Sequence, residues 1–168
     1  MRNSETNKTL YTMVYAAMIA AIYVVLTMVF APISFGPVQF RVSEILCVLP
    51  FFTPSAVPGL FIGCLLSNLF CGAALLDVVF GSLATLIGAA GSWYLGKRSR
   101  WLVCVPPILA NMVIIPWVLR YAYGSPDLIP FAMVTVGIGE VLAVGVLGNL
   151  LLVTLERYKG MLFRRSLV

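Results

Sequence analysis

The sequence contains no histidine and few charged residues. None of its 168 positions is a histidine, and 10% are Asp, Glu, Lys or Arg. The first absence excludes Ser-His hydrolase triads, HExxH zinc sites and His-ligated haem, because each of these needs an imidazole. The second excludes an ordinary soluble domain, in which about 25% of residues are charged. With 61% hydrophobic residues and a mean hydropathy of +1.04, the chain is predicted to be an integral membrane protein.

Cysteine is also scarce, and its spacing matches no metal-binding motif. The four cysteines, Cys47, Cys64, Cys71 and Cys104, form no CxxC pair. We interpret them as small apolar residues inside helices. The sequence therefore predicts neither a metal site nor a cofactor, and no catalytic residue.

The apolar runs predict an all-α integral membrane protein, a compact bundle of six transmembrane helices in a single domain (residues 1–168). A spanning helix needs about 20 predominantly apolar residues, and four runs are long enough to be clear candidates. Two shorter runs lie between proline-rich breaks and predict helices that are tilted, kinked or partly re-entrant. The predicted helices cover 10–31, 38–52, 58–71, 75–95, 101–118 and 129–155.

The distribution of basic residues predicts the orientation of this bundle. If the N-terminus is cytoplasmic, six crossings place nine of the 11 basic residues on the cytoplasmic side, in agreement with the positive-inside rule. These nine are Arg2, Lys8, Lys97, Arg98, Arg100, Arg157, Lys159, Arg164 and Arg165. Both termini are thus predicted to be cytoplasmic. Because the basic residues are spread over three membrane edges, nucleic acid is not a predicted partner.

A few polar side chains lie within or at the ends of the predicted spans, mostly in the half nearer the outside. Each charge at the bilayer centre costs roughly 2.5–3.5 kcal/mol, so such groups must pair, reach water or contact a polar ligand. The set consists of Gln39, Arg41, Glu44, Asn68, Asp77, Asn111 and Glu140, with Phe40 and Trp117 as neighbouring aromatic residues. Their convergence predicts a polar pocket that opens to the outside.

Several of these residues also have a purely structural interpretation. Arg41 and Glu44 share a helix face at i,i+3 and could form an internal ion pair. Asp77 could be a carboxylate that the helix dipole favours near an N-terminus, and the two asparagines could form interhelical hydrogen bonds. Glu140 is most consistent with a ligand contact, because no nearby cation in its own helix neutralises it.

The first predicted helix carries no charge between residues 10 and 31, and it contains two overlapping AxxxA patterns. These are formed by Ala16, Ala17, Ala20 and Ala21. Small residues four apart allow close helix packing in lipid. The pattern predicts either an internal packing face or a lipid-facing surface that docks another membrane subunit.

Four segments together resemble the QueT family of queuosine-precursor transporters. They are FGPVQFRVSE (35–44), LPFFTP (49–54), PGLFIGC (58–64) and DVVFGSLAT (77–85), and the similarity extends from about Thr12 to Leu155. The resemblance implies a six-helix S component of an energy-coupling-factor (ECF) vitamin transporter of the bacterial plasma membrane. Such a subunit captures its ligand from outside and docks, through alanines of its first helix, on a transmembrane T subunit and two ATPase subunits. The chain itself has no Walker-type GxxxxGK[ST] motif.

The resemblance further implies a ligand of the 7-deazaguanine class, such as prequeuosine. The guanine-like edge presents two adjacent donors that one carboxylate, Glu140 or Glu44, can accept together. An amide can donate to the carbonyl oxygen of the base, a second carboxylate can meet the aminomethyl cation, and Phe40 or Trp117 can stack on the ring.

Other functions remain open from the residues alone. The same scaffold could carry another base, nucleoside or vitamin. Residues 137–140 (GIGE) superficially resemble the GxGD element of intramembrane aspartyl proteases, but Glu replaces Asp and no Tyr-Asp pair is present as partner. A stand-alone carrier usually contains two repeated halves. No repeat is evident, so a carrier would require an oligomer.

Overall fold

The computed structural model of the chain describes residues 2–34 and 40–162, and within these ranges every regular element is helical. This confirms the all-α prediction. Four helices are long and apolar enough to cross a membrane: Lys8–Val29, Leu75–Gly96, Arg100–Ala122 and Ile129–Lys159. The other two predicted spans are short apolar helices, Val42–Phe51 and Ala56–Phe70. The six crossings therefore stay a prediction, although the chain is a membrane protein.

The first helix, α1 (Arg2–Val29), ends near a proline and packs lengthwise on α3. A turn separates α1 from the short α2 (Ala31–Ser34), because Pro32 has no N–H to continue the helical ladder. The third helix, α3 (Ala56–Phe70), lies so close to α1 that a Cβ atom on Gly59 would be 2.7 Å from the Ala16 carbonyl oxygen. Glycine and alanine thus permit the contact between the two helices.

The segment predicted as a second spanning α-helix is a 3₁₀ helix, Val42–Phe51, with Pro50 inside it. We call it the long 3₁₀ helix. At about 2.0 Å per residue, ten residues extend about 20 Å, which is shorter than the roughly 30 Å hydrocarbon core of a bilayer. Side chains three apart eclipse in this geometry, and most of this segment is buried. The predicted residues 38 and 39 lie outside the described part of the chain.

In the central pair of helices, the first matches its predicted bounds closely, whereas the second, predicted over 101–118, extends to residue 122. Helix α4 is Leu75–Gly96, against a prediction of 75–95. A short 3₁₀ helix, Arg100–Cys104, leads into α5, Val105–Ala122. Gly88 and Gly91 allow α4 to lie against the prolines at the start of α5, where an added Cβ would approach Pro107 and Pro106 to 2.7 Å or less.

The last predicted span contains a change of helix type at the residue singled out in the sequence. It begins with α6 (Ile129–Glu140), continues as a π-helical segment, Val141–Gly148, and ends with α7 (Asn149–Leu162). Glu140 is thus the last residue before the π-helical segment. Such segments are rare and frequently occur at functional sites.

Candidate functional site

Five elements contribute polar side chains to one buried cluster. The long 3₁₀ helix, α3, α4, α5 and α6 bring together residues of which none is more than 5% exposed. They are Arg41, Glu44, Asn68, Asp77, Asn111 and Glu140. Arg41 precedes the long 3₁₀ helix, Asp77 lies in the first turn of α4 and Asn68 in the last turn of α3. The cluster therefore starts at one end of the bundle and continues inward.

Arg41 and Asp77 form a buried ion pair. Arg41 Nη2 donates to both carboxylate oxygens of Asp77 at 3.1 Å. The ion pair that the sequence suggested between Arg41 and Glu44 is therefore replaced by a pair with α4. Asp77 is in the first turn of its helix, as the dipole interpretation required, but it is fully buried and neutralised by a guanidinium.

Tyr123 covers this ion pair from the loop after α5. Its hydroxyl donates to Asp77 Oδ2 at 3.0 Å and accepts a hydrogen bond from the backbone N–H of Ala74 at 3.2 Å. Partial burial and the nearby Asp77 carboxylate raise the pKa of the Tyr123 hydroxyl above its ordinary value. The phenol therefore stays protonated and remains a donor at neutral pH. No sequence argument had selected Tyr123.

Asn68 leaves one acceptor without a protein donor. Its amide nitrogen donates to the backbone carbonyl of Asp77 at 3.2 Å and lies 3.7 Å from the sulfur of Cys64. Its Oδ1 atom is buried and has no hydrogen-bond partner among the described residues. Gly81 provides the space for this arrangement, because a Cβ there would be 2.7 Å from Asp77 Oδ1 and 3.2 Å from Asn68 Nδ2.

Glu44 is held by three donors from within the fold. Tyr23 of α1 donates to Oε1 at 2.5 Å, Thr85 of α4 donates to the same oxygen at 3.4 Å, and the thiol of Cys47 lies 2.9 Å from Oε2. Both carboxylate oxygens are thus occupied. Next to this group, Thr27 of α1 donates to Ser43 at 2.8 Å. Hydrogen bonds from α1 therefore reach into the interior of the bundle.

Glu140 differs from Glu44 in its surroundings. The Asn111 side chain is within hydrogen-bonding reach of the Glu140 carboxylate, and Glu140 interacts electrostatically with Glu44 and Arg41. Its Oε2 atom is nevertheless buried and has no hydrogen-bond partner in the described residues. A buried acceptor that lacks a donor loses about 1–3 kcal/mol relative to water. Glu140 is the group in the cluster that a donor from a ligand would satisfy best.

Two predicted site residues, Trp117 and Phe40, are not brought into this cluster, and a third lies outside the described part of the chain. Trp117 is 47% exposed and stacks on Tyr121 with ring centroids 6.3 Å apart. It is six residues beyond Asn111, which rotates it by about 120° around the helix axis to the outer surface. Phe40 is half-buried and packs against the apolar core. Gln39 lies outside the described residues.

The sequence left open whether the alanines of α1 form an internal packing face or a surface that docks a partner, and the structure places two of them on each side of the helix. Ala16 and Ala20 lie under Gly59 and Gly63 of α3, where added Cβ atoms would come within 2.7–3.1 Å of their backbone atoms. These two alanines form an internal packing face. Ala17 and Ala21 are exposed on the other side of α1, where they are accessible to a partner.

The chemistry of the cluster is that of an acidic, acceptor-rich interior. Its ionisable members are one guanidinium and three carboxyl groups; Asp77 pairs with Arg41, and two carboxyl groups remain. Among the residues that the structure describes, no group of three His, Cys, Asp or Glu side chains is placed to hold a metal ion. The arrangement is suited to a ligand that donates hydrogen bonds or carries positive charge.

The fold and this cluster together define a polytopic helical membrane protein with a buried polar interior. Comparison with known families agrees with this class. The family described as "QueT transporter" matches residues 13–157, and the chain belongs to this family. The resemblance inferred from the four sequence segments is thereby confirmed.

Comparison with individual proteins gives one close relative and no structural match. The chain is 43% identical over 89 residues to the "Queuosine precursor transporter QueT" of Lactococcus lactis subsp. cremoris (strain MG1363). The aligned region is 52% of this chain and 50% of the relative, so the chain spans about half the length of the curated relative it matches. No solved structure is significantly similar to the chain.

Proposed function

We propose that this chain is the substrate-binding S component of an ECF-type importer and that it captures a queuosine precursor, a 7-deazaguanine base such as prequeuosine, from outside. The observation that carries the proposal is a pair of buried acceptors, Glu140 Oε2 and Asn68 Oδ1, that have no donor among the residues the structure describes. Both belong to the same polar cluster, and the relative from Lactococcus lactis is named as a transporter of a queuosine precursor.

The two unpaired acceptors indicate that the ligand carries hydrogen-bond donors. Each unsatisfied buried acceptor costs about 1–3 kcal/mol, and a ligand that donates to it removes that cost. The two carboxyl groups in excess over Arg41 favour a cation in the same space, because a nearby positive charge favours their ionised form. A 7-aminomethyl-7-deazaguanine supplies both features, since it carries ring N–H and amino donors and an ammonium group.

The two glutamates are expected to have different roles in recognition. Glu44 already accepts from Tyr23, Thr85 and Cys47, so it is suited to provide fixed negative charge near the aminomethyl group. Glu140 has an open acceptor, and its carboxylate can receive the adjacent N–H and amino donors of the base. Bidentate recognition of this kind discriminates strongly, because an analogue without a donor leaves the carboxylate unpaired.

The opposite placement of the cluster and the basic residues supports capture from outside. Asp77 begins α4, whereas Lys97, Arg98 and Arg100 follow its other end. The positive-inside rule assigns that basic end to the cytoplasm. The Arg41–Asp77 end then faces outward in a bacterial plasma membrane, with both termini cytoplasmic.

The proposed partners are a transmembrane T subunit and two ATPase subunits. The ATPase subunits would supply the energy for transport, since the sequence of this chain contains no Walker motif. Helix α1 is suited to dock the T subunit, since only 22% of its span is buried in the bundle, against 39–50% for the other three spans. Ala17 and Ala21 lie on this exposed side, where small residues allow a partner helix to approach closely.

The test is calorimetric binding of 7-aminomethyl-7-deazaguanine to the purified chain in detergent, with its nitrile precursor, queuine, guanine and riboflavin as comparators. We expect selective binding of deazapurines. Glu140→Gln should weaken binding roughly 10- to 100-fold, the equivalent of a charge-assisted hydrogen bond of about 1.5–3 kcal/mol.

The matched control is Glu156→Gln, because Glu156 is a carboxylate at the opposite end that pairs with Arg100 at 3.3 Å. It should bind like the parent. If Glu140→Gln also binds like the parent, Glu140 does not read the base. If the folded parent binds no deazapurine, the proposed cargo is withdrawn, and the comparators decide among another vitamin or base. Uptake into proteoliposomes without partner subunits would instead support a stand-alone oligomeric carrier.

A further inference from the structure

A basic surface lies at the end of the bundle opposite the buried polar cluster. The 22 residues of α4 separate the two ends, a distance of about 33 Å. The described part of the basic surface consists of Lys97, Arg98, Arg100, Arg157 and Lys159, with Glu156 as its carboxylate. Arg100 pairs with Glu156 at 3.3 Å, which joins the α4–α5 connection to α7. On these two segments, five basic residues and one carboxylate leave an excess of four positive charges.

Two of these cations are positioned over tryptophan rings. Lys97 Nζ lies 3.6 Å from the centre of the Trp93 ring, and the guanidinium carbon of Arg100 lies 4.7 Å from the centre of the Trp101 ring. Cation–π contacts of this kind hold the charge in place, and tryptophans concentrate at the level of lipid headgroups. The Trp93–Lys97 pair is thus placed where a headgroup phosphate would lie.

A groove of about 330 Å³ adjoins this pair. It runs between the turn that follows the long 3₁₀ helix and the end of α4, and its lining includes Phe51, Phe52, Pro54 and Trp93. Thr53 and Lys97 add polar groups to this apolar lining. Within the described residues, Lys97 forms no ion pair with a carboxylate. The groove therefore places the ammonium group of Lys97, which is not paired with a carboxylate of the described residues, beside aromatic rings and proline.

We propose that this groove binds the headgroup of an anionic phospholipid, with its phosphate on Lys97 and its glycerol and first acyl carbons against the apolar lining. The charge of the surface and its position at the headgroup level favour a lipid over a soluble anion, because basic residues close to a membrane surface are attracted to anionic lipid headgroups. This proposal does not depend on which solute the chain carries.

The test compares phosphatidylglycerol and phosphatidylcholine with identical acyl chains. Native mass spectrometry of the purified chain measures how much of each lipid stays bound. We expect the parent to retain phosphatidylglycerol in preference to phosphatidylcholine, and Lys97→Gln to reduce phosphatidylglycerol binding about fivefold, as expected for one basic residue at a membrane surface. Lys97→Arg should retain the preference.

The matched control is Lys159→Gln, which removes an exposed cation from the same end without touching the groove. It should bind phosphatidylglycerol like the parent. An equal loss of phosphatidylglycerol binding in both variants would show that the lipid is attracted by the overall charge of the surface and not by the groove, and it would overturn the proposed site. Absence of any preference in the parent would also overturn it and would leave an acidic partner protein as the occupant of this surface. Displacement of the lipid by millimolar inorganic phosphate would reassign the groove to a soluble anion.

Discussion

The two ends of this bundle hold their charges in opposite ways. At one end, Arg41, Asp77 and the two glutamates are buried and hydrogen-bonded inside the protein. At the other end, the basic residues of the α4–α5 connection and of α7 are exposed, and their main ion pair, Arg100–Glu156, lies on the surface. Helix α4 connects the two ends, since Asp77 lies in its first turn and Lys97 directly follows its last residue.

The difference indicates which end performs the specific chemistry. Burying a charge costs several kcal/mol unless it is paired, so a buried cluster persists only where its partners are fixed or where a ligand completes it. Exposed cations at a membrane surface have no such cost, and their number is explained by topology. A substitution at the buried end should therefore change stability or ligand binding strongly, whereas an equivalent one at the basic end should change little.

The largest expected effect comes from breaking the buried ion pair. Asp77→Asn leaves the guanidinium of Arg41 buried without its counter-ion, which should lower the free energy of unfolding by about 3–5 kcal/mol. Unfolding in a mixed-detergent titration measures this. The control is Asp127→Asn, an exposed carboxylate that accepts a bond from Ser125 and should change stability by less than about 0.5 kcal/mol. Similar small values for both variants would show that water reaches Asp77.

An intermediate effect is expected at Gly81. In Gly81→Ala the new Cβ would be 2.7 Å from Asp77 Oδ1, and that oxygen cannot retreat without weakening its bond to Arg41. Overpacking of this kind costs about 1–3 kcal/mol, and ligand affinity should fall with it. The free energy of unfolding and the calorimetric Kd are the two measurements.

Gly145 supplies the control for Gly81, because an added Cβ there meets its nearest atom, Val141 Cγ1, at an ordinary 3.6 Å. Gly145→Ala should leave ligand affinity unchanged and leave stability equal or slightly higher. If the two alanine variants behave alike, the space beside Asp77 is not required for the cluster.

The smallest effect is expected at the surface ion pair. Arg100→Gln removes the partner of Glu156, whose side chain is 27% exposed while that of Arg100 is 43% exposed. Exposed pairs contribute about 0–1 kcal/mol, so the free energy of unfolding should change by no more than that and should depend on salt. If Arg100→Gln lowered the free energy of unfolding as much as Asp77→Asn, the buried and the exposed ion pair would contribute equally to stability, contrary to this prediction.

The sequence predicted the helices better than it predicted the hydrogen bonds between them. The predicted α4 and the onset of α6 agree with the structure because long apolar runs bounded by loops leave few alternatives. The second span was predicted as an α-helix, but the structure has a 3₁₀ helix at Val42–Phe51. Hydrophobic runs alone do not distinguish the two, since the choice depends on packing against the rest of the bundle.

The polar residues of the cluster were found from sequence, whereas their partners Tyr23, Thr85 and Tyr123 were missed. Tyr23 and Thr85 are unremarkable in composition, but their spacing carries a signal. Residues 16, 20, 23 and 27 repeat at intervals of four, three and four, which places Tyr23 on the face of α1 that packs inward. Thr85 lies eight residues, or about two turns, after Asp77. The pairing of Arg41 with α4 was not predictable, because it depends on how separate helices approach one another.

Helix α1 combines an exposed outer side with a hydrogen bond from Tyr23 to Glu44 in the interior. In mechanical terms, α1 is a rod that packs along α3 through Ala16 and Ala20 and is tied to the interior in its C-terminal half by the Tyr23 hydroxyl. A sliding or rolling displacement of the rod by more than a few ångströms separates the tyrosine hydroxyl from Glu44 Oε1. Any such movement of α1 would therefore change the hydrogen bonding of a carboxylate of the buried cluster.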